Sequence, residues 1–209
     1  MKIIELQYLP QPKYFALLFS GQDVLIDKYE HFVKQTYRNR CRILTANGID
    51  ELSIPVIGAG QKTSIKEIKI DRSQKWVNRH WRAIQSAYGK APYFEFYADE
   101  LRSIFYKKHK FLFDLTLDFL TQCLEFLQYK DPIKFTDNYY ELTDTPQNDL
   151  RSLILPKSNT KLPISYNQVV YQQVFGSKFV DNLSVIDLIF SEGPRAGEIL
   201  KSGIIIEHK

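Results

Sequence analysis

Lys34-Gln35-Thr36-Tyr37-Arg38-Asn39-Arg40-Cys41-Arg42-Ile43-Leu44-Thr45-Ala46-Asn47-Gly48 is the segment on which the fold turns. From Thr36 to Thr45 the residues alternate in character with a period of two, which predicts a strand. On a strand Arg38, Arg40 and Arg42 share one face, spaced by roughly 6–7 Å, while Tyr37, Asn39, Cys41 and Ile43 share the inner face. Asn47-Gly48 then signals a hairpin that returns through Glu51 to Val56. Three guanidiniums in a row repel one another unless anions meet them. Phosphates and carboxylates fit, because Arg holds them bidentately. The alternative is a solvated face balanced by an acid such as Glu51 on the return strand.

Working outward, the region from Met1 to Arg72 is strand-rich. Ile3 to Tyr8 reads as a strand, Pro12 opens a helix through Ser20, and Asp23 to Asp27 returns as a strand. Ile65 to Ile70 is a further expected strand. Residues 73–129 read as helical: Ser73 is positioned to cap a helix ending at Tyr88, with Gly89 as its stop. Ala98 to Tyr129 has helical spacing, as one long helix or two shorter ones. Residues 130–209 begin irregularly, with a loop over Asp144 to Lys161. Short helices are expected at Tyr166 to Phe175, Ser184 to Ser191 and Arg195 to Ser202, with Ser184 as the cap of the second. Strands, then helices, then a mixed tail predict an α+β domain over 1–209, not a regular doubly wound sheet.

The composition excludes several classes. The chain has 209 residues, 44% hydrophobic and 25% charged, which is that of a globular protein. Its net charge of +4 is mild and permits a polyanionic partner without requiring one. The two cysteines and four histidines have no metal-site spacing, and no motif calls for a cofactor. Phe111 to Leu127 carries Asp114, Asp118 and Glu125 and is too short to span a bilayer. Glu5 and Gln7 interrupt any signal-peptide core, so the expected location is cytoplasmic.

Candidate chemistry gathers at a few residues. Trp76 and His80 lie one turn apart on a helix face. His80 reads either as a general base or as a half-buried histidine bonded to backbone beside a packing Trp. His31 either joins Glu30 or Glu5 in acid–base work or is a loop residue. Cys41 is a nucleophile if Arg40 and Arg42 lower its pKa, and a small hydrophobe if it points inward. Cys123 reads as core, and His109 and His208 as surface residues. The run Pro92 to Tyr97 reads as a stacking surface, Tyr93 included, or as a wall between sheet and helices.

Several blocks resemble the WbqC-like family of bacterial proteins. Leu9-Pro10-Gln11-Pro12-Lys13-Tyr14-Phe15 is similar to a variant of its opening Q-P-x-Y-x-P-x-x-x-Y-F segment. Asn39-Arg40-Cys41-Arg42-Ile43, with Asn47-Gly48 and Leu52-Ser53-Ile54-Pro55-Val56, resembles its N-R-x-R-I … G … L-x-V-P-V core. Trp76 with His80, Tyr88 and Ala91-Pro92-Tyr93-Phe94 resembles its W-x-x-x-H … Y-x-x-A-P-Y-F block. Tyr171 to Phe175 and Asn182 to Leu188 are similar to the branch found in Bacteroidetes. The family pattern has a polar residue where this chain has Cys41, and the opening segment is rearranged.

The resemblance implies a place in surface-polysaccharide (O-antigen-type) biosynthesis, and for this chain a transferase attaching an amino acid such as glycine to an amino sugar. On that reading His80 is the base and Asn39 an oxyanion or amide donor. Arg38, Arg40 and Arg42 clamp the diphosphate of a nucleotide- or carrier-linked sugar, and Trp76, Tyr93 and His31 complete the site. A regular strand sends Asn39 and Arg40 to opposite faces, so this reading requires a bulge or strand end between Arg38 and Cys41. A non-catalytic binding or scaffold protein of the same pathway is the alternative, and nucleic-acid binding a distant third.

Overall fold

The computed structural model describes residues 1–60, 62–141, 148–155 and 164–205, and its architecture is α+β. Strand β1 (Lys2–Glu5) and strand β2 (Val24–Asp27) pair in parallel, with Ile3 opposite Leu25. Parallel neighbours need a crossover, and helix α1 (Pro12–Phe19) supplies it. One βαβ unit therefore sits inside the α+β fold. Short parallel bridges widen it on both sides, Ile3 with Asp149 and Ile26 with Phe135. Tyr14, Phe15, Ala16 and Leu17 are all fully covered, so α1 is buried nearly all round.

The hairpin forms between β3 (Arg40–Thr45) and β4 (Gly48–Ser53), with Thr45 opposite Gly48. Gly48 has φ +99°, a conformation L side chains rarely adopt. The strand is shorter than its alternation predicts: residues 36–39 form turns. Cys41 and Ile43 face inward at 1% and 0% exposure, as expected, while Arg40 and Arg42 stay half-buried on the outer face. Pro55 separates β4 from the two-residue strand β5 (Val56–Ile57), which pairs with β6 (Lys69–Ile70). The expected strand from Ile65 reduces to β6, because residues 65–67 wind into a 3₁₀ turn.

Helices α2 (Trp76–Tyr88), α3 (Phe94–Tyr106) and α4 (Leu112–Phe126) form the second layer. Ser73 does not cap α2. Its amide and hydroxyl donate to Asp71 Oδ1 instead, and the helix opens two residues later at Lys75. The stretch from Ala98 divides into two helices, and Arg72 ties the reversal between them through the Lys107 and His109 carbonyls. His109 is buried against Asp118, at 2.8 Å, and is not a surface residue. His208 and most of Asp144 to Lys161 lie outside the described residues.

At the C-terminal end β7 (Ser165–Tyr166) pairs with β8 (Ile204–Ile205). Helix α5 (Val185–Glu192) carries the expected Ser184 cap, whose side chain accepts from the Ile186 amide. Helix α6 (Ala196–Ser202) follows through a 3₁₀ turn. The helix expected at Tyr166 to Phe175 is absent. Its side chains are committed to later residues: the Gln173 amide bonds both the N–H and the carbonyl of Val180, and the Tyr171 hydroxyl donates to Asp187. Phe190 packs on Tyr88 and Phe94, joining α5 to the same core as the strands and the helical layer.

Candidate functional site

The turns before β3 build an open cleft of about 520 Å³. One wall is Phe32, Lys34 and Gln35, the other Val56, Gly58 and Ala59, and Asn39 and Arg40 stand where the walls meet. Because β3 begins at Arg40, the pleat does not separate these two residues. The strand end on which their sharing a pocket depends is therefore present.

The chemistry of the pair is specific. Asn39 Nδ2 donates to the Ile54 carbonyl at 2.8 Å, so the buried Oδ1, which has no hydrogen-bond partner, is an acceptor. Asn39 Oδ1 is thus placed to receive an N–H or O–H. Arg40 Nη1 bonds Glu51 Oε1 at 2.8 Å, while its buried Nε has no partner. A ligand that met both groups would relieve two buried polar atoms left unpaired.

Arg38 stands apart from the other two arginines. It is 2% exposed and grips Glu30 with two hydrogen bonds, Nε to Oε1 at 2.9 Å and Nη2 to Oε2. The row of three therefore does not form one clamp: leaving the strand register turns Arg38 into the interior. Glu30 and Arg38 bracket the wall that holds Phe32, Lys34 and Gln35, so the buried pair sets the shape of the cleft without facing it. Burial pushes the Glu30 carboxyl up to about 7, against Arg38 and helped by the nearby Glu5 and Asp27. A second buried pair, Arg151 with Asp27 and Asp149, ties the same edge of the parallel strands to the chain that follows residue 148.

The remaining candidates lie elsewhere. Arg42 is opposite Glu51 in the hairpin register, with Lys13 and Tyr37 as further neighbours. His80 is fully buried, with Nδ1 at 2.9 Å from the Tyr8 hydroxyl and Nε2 at 3.2 Å from the Ser53 carbonyl. A neutral ring with Nε2–H donating to the carbonyl and Nδ1 accepting from the hydroxyl satisfies both contacts. Burial lowers its pKa to about 4. Trp76 packs on His80 and Phe105 in the core. His31 bridges to Ser64 and rests against Tyr139, and Tyr93 rests against Phe96 at the start of α3. None of these five lines the cleft.

The inward-pointing alternative holds for Cys41. It is a free thiol whose pKa burial drives well above the ordinary range, and Cys123 is likewise free and buried. The alternation singled out the arginines but passed over Lys34, Gln35 and the Val56 to Ala59 wall. Two signals were available for them: Gly58 and Gly60 mark a loop, and Lys34 adds a cation just before the arginines. Gln35 itself sits at φ +61°, a conformation the sequence does not announce.

Fold and site together define an α+β protein with a cationic cleft at the start of a β-hairpin. Among the described residues no helix is long and apolar enough to cross a membrane. The model of the WbqC-like protein family matches residues 7–161, and the chain belongs to that family. A Mycobacterium tuberculosis (strain ATCC 25618 / H37Rv) protein named "Uncharacterized protein Rv1507c" is 26% identical over 225 aligned residues, covering 95% of this chain and 96% of the relative. No solved structure matches the chain.

Proposed function

We propose that this chain is a transferase of surface-polysaccharide assembly that binds a nucleotide- or carrier-linked amino sugar in the cleft and attaches an amino acid such as glycine to it. The observation that supports this reading is the meeting of an idle buried acceptor, Asn39 Oδ1, and an idle buried donor, Arg40 Nε, in one cleft beside Lys34. Arg40 and Lys34 take the diphosphate, whose oxygens suit a guanidinium and an ammonium. Asn39 Oδ1 accepts from an N–H of the sugar's amine and so orients its lone pair toward the carbonyl of an activated amino acid; the C–N bond forms, the activating group leaves with its bonding electrons, and the amine's proton passes to solvent.

One observation favours the second reading, a binding protein of the same pathway. His80, the residue expected to take the amine's proton, has both ring nitrogens engaged and a lowered pKa. Calorimetric titration with a uridine-diphosphate amino sugar separates the readings. The wild type is expected to bind, and Arg40→Ala to bind at least tenfold more weakly, a loss of about 1.4 kcal/mol. Mass spectrometry of the sugar after incubation with activated glycine donors then reads transfer. Binding with no glycyl product selects the binding protein; equal affinity in Arg40→Ala refutes the cleft.

A further inference from the structure

Gln11 is 3% exposed, yet neither atom of its side-chain amide completes a hydrogen bond. It occupies the cap position of α1, but its side chain does not cap the helix. The Tyr37 hydroxyl is a neighbour: burial raises its pKa, and Arg42 and Gln11 oppose that rise, although the Gln11 amide completes no hydrogen bond to it. Adjacent amides of one turn fix Arg42 in the same locality, Ser184 donating to the Arg42 carbonyl and Val185 to the Pro10 carbonyl, each at 2.8 Å. Lys13, two residues into the sequence from Gln11, belongs to it as well. Burial lowers the pKa of its amine, Asp181 opposes that fall and Arg42 adds to it.

Lys13 and Arg42, with Asp181 near Lys13, thus stand beside a helix start without a side-chain cap and an idle buried amide. Pro12 fills the first helical position and contributes no N–H, and the Tyr14 amide is taken by the Gln11 carbonyl at 3.0 Å, so any ligand here must be held by side chains. A buried amide without partners is costly, and a sequence selected for stability alone would place an apolar side chain there.

We infer that Gln11, Lys13, Tyr37 and Arg42 form a second anion subsite, which takes a carboxylate or phosphate group at the start of α1. Arg40 and Arg42 are neighbours on the outer face of β3, roughly 6–7 Å apart, so this subsite lies beside the cleft along the same strand. An anion here accepts from the Gln11 Nε2 and the Tyr37 hydroxyl, while Lys13 exchanges its long 3.3 Å bond to Asn182 for an ion pair. The subsite stands whether or not the cleft holds an amino sugar.

Thermal melting with inorganic phosphate and with acetate, each against chloride at equal ionic strength, tests it. At least one of the two is expected to raise the melting temperature of the wild type. A phosphate-only response assigns a phosphoryl group and an acetate-only response a carboxylate, and either supports the subsite. Gln11→Met is the decisive variant. It is expected to melt at or above the wild-type temperature without ligand and to lose the anion response, with affinity down at least tenfold. A fall of several degrees in the unliganded variant would show that the amide is structural and overturn the inference. So would an anion response that survives in Gln11→Met, or one that disappears in Arg40→Ala, which would place the anion in the cleft. A wild type indifferent to both anions also overturns it.

Discussion

Glu30 and His80 titrate in opposing senses. Glu30 has its folded pKa raised from 4.5 to about 7 by burial, so its contribution to stability is full below about 4.5 and is lost as the pH rises through about 7. His80 has its folded pKa lowered from 6.5 to about 4, also by burial. Its contribution is full above about 6.5 and is lost as the pH falls through about 4. Between pH 4.5 and 6.5 the two slopes have opposite sign and largely cancel. Asp187, whose pKa burial also raises, adds to the Glu30 slope. Glu30→Gln removes the Glu30 slope, so its melting temperature relative to the wild type should be lower at pH 4.5 than at pH 6.5; a difference that does not change with pH would show that the Glu30 proton is not linked to folding. Removing the other partner has a larger effect. In a urea melt at about pH 8, where Glu30 is ionised beside Arg38, Arg38→Met removes the guanidinium from a buried carboxylate and should cost about 3–5 kcal/mol.

At the scale of elements, backbone approach decides what the helices tolerate. Gly197 lies in α6, where an added Cβ would come within 2.3 Å of the Leu127 carbonyl oxygen at the end of α4. That neighbour is backbone, so relief means separating two packed elements. Gly48, in the hairpin, has open space around its Cβ position but a strained φ of +99°. Gly48→Ala should therefore cost about 1 kcal/mol, whereas Gly197→Ala should exceed 2 kcal/mol, as overpacking against a fixed neighbour does. Chemical denaturation of both variants checks the order, and an equal loss would show that α6 moves freely. Much of the element list was legible beforehand: the hairpin, the α5 cap and the stop at Gly89 each rest on chemistry within a few residues. The misplaced ones share a cause. The Ser73 cap yielded to Asp71, and the helix expected at Tyr166 yielded to side chains of Gln173 and Tyr171 whose partners lie up to sixteen residues away.

At the scale of the molecule, the strands, the helical layer and the last two helices share one core. Ser184 and Val185 donate to the carbonyls of Arg42 and Pro10, so the start of α5 is fastened to β3 and to the turn before α1. The family match ends at 161, yet Val185, Ile186, Ile189 and Phe190 are all fully covered. We therefore expect a chain cut after residue 161 to expose that apolar surface and to lose cooperative unfolding. A sharp melting transition in the shortened chain would instead make residues 162–209 a separate unit.

The residues alone carried the α+β class, the resemblance to the family and the alternation that pairs Arg40 with Arg42 opposite Cys41, since periodicity and local motifs run along the chain; burial in the fold settled Cys41 as inward. They also posed the condition that a shared Asn39–Arg40 pocket needs a strand end. Tertiary structure alone decided that β3 starts at Arg40, that Arg38 turns inward to Glu30, that His80 is neutral between Tyr8 and Ser53, and that Gln11 is buried with nothing bonded to its amide. The physical reason is the same in each case. Whether a polar group is a ligand's partner or the fold's depends on which other buried group can reach it, and those groups come from elements distant in sequence.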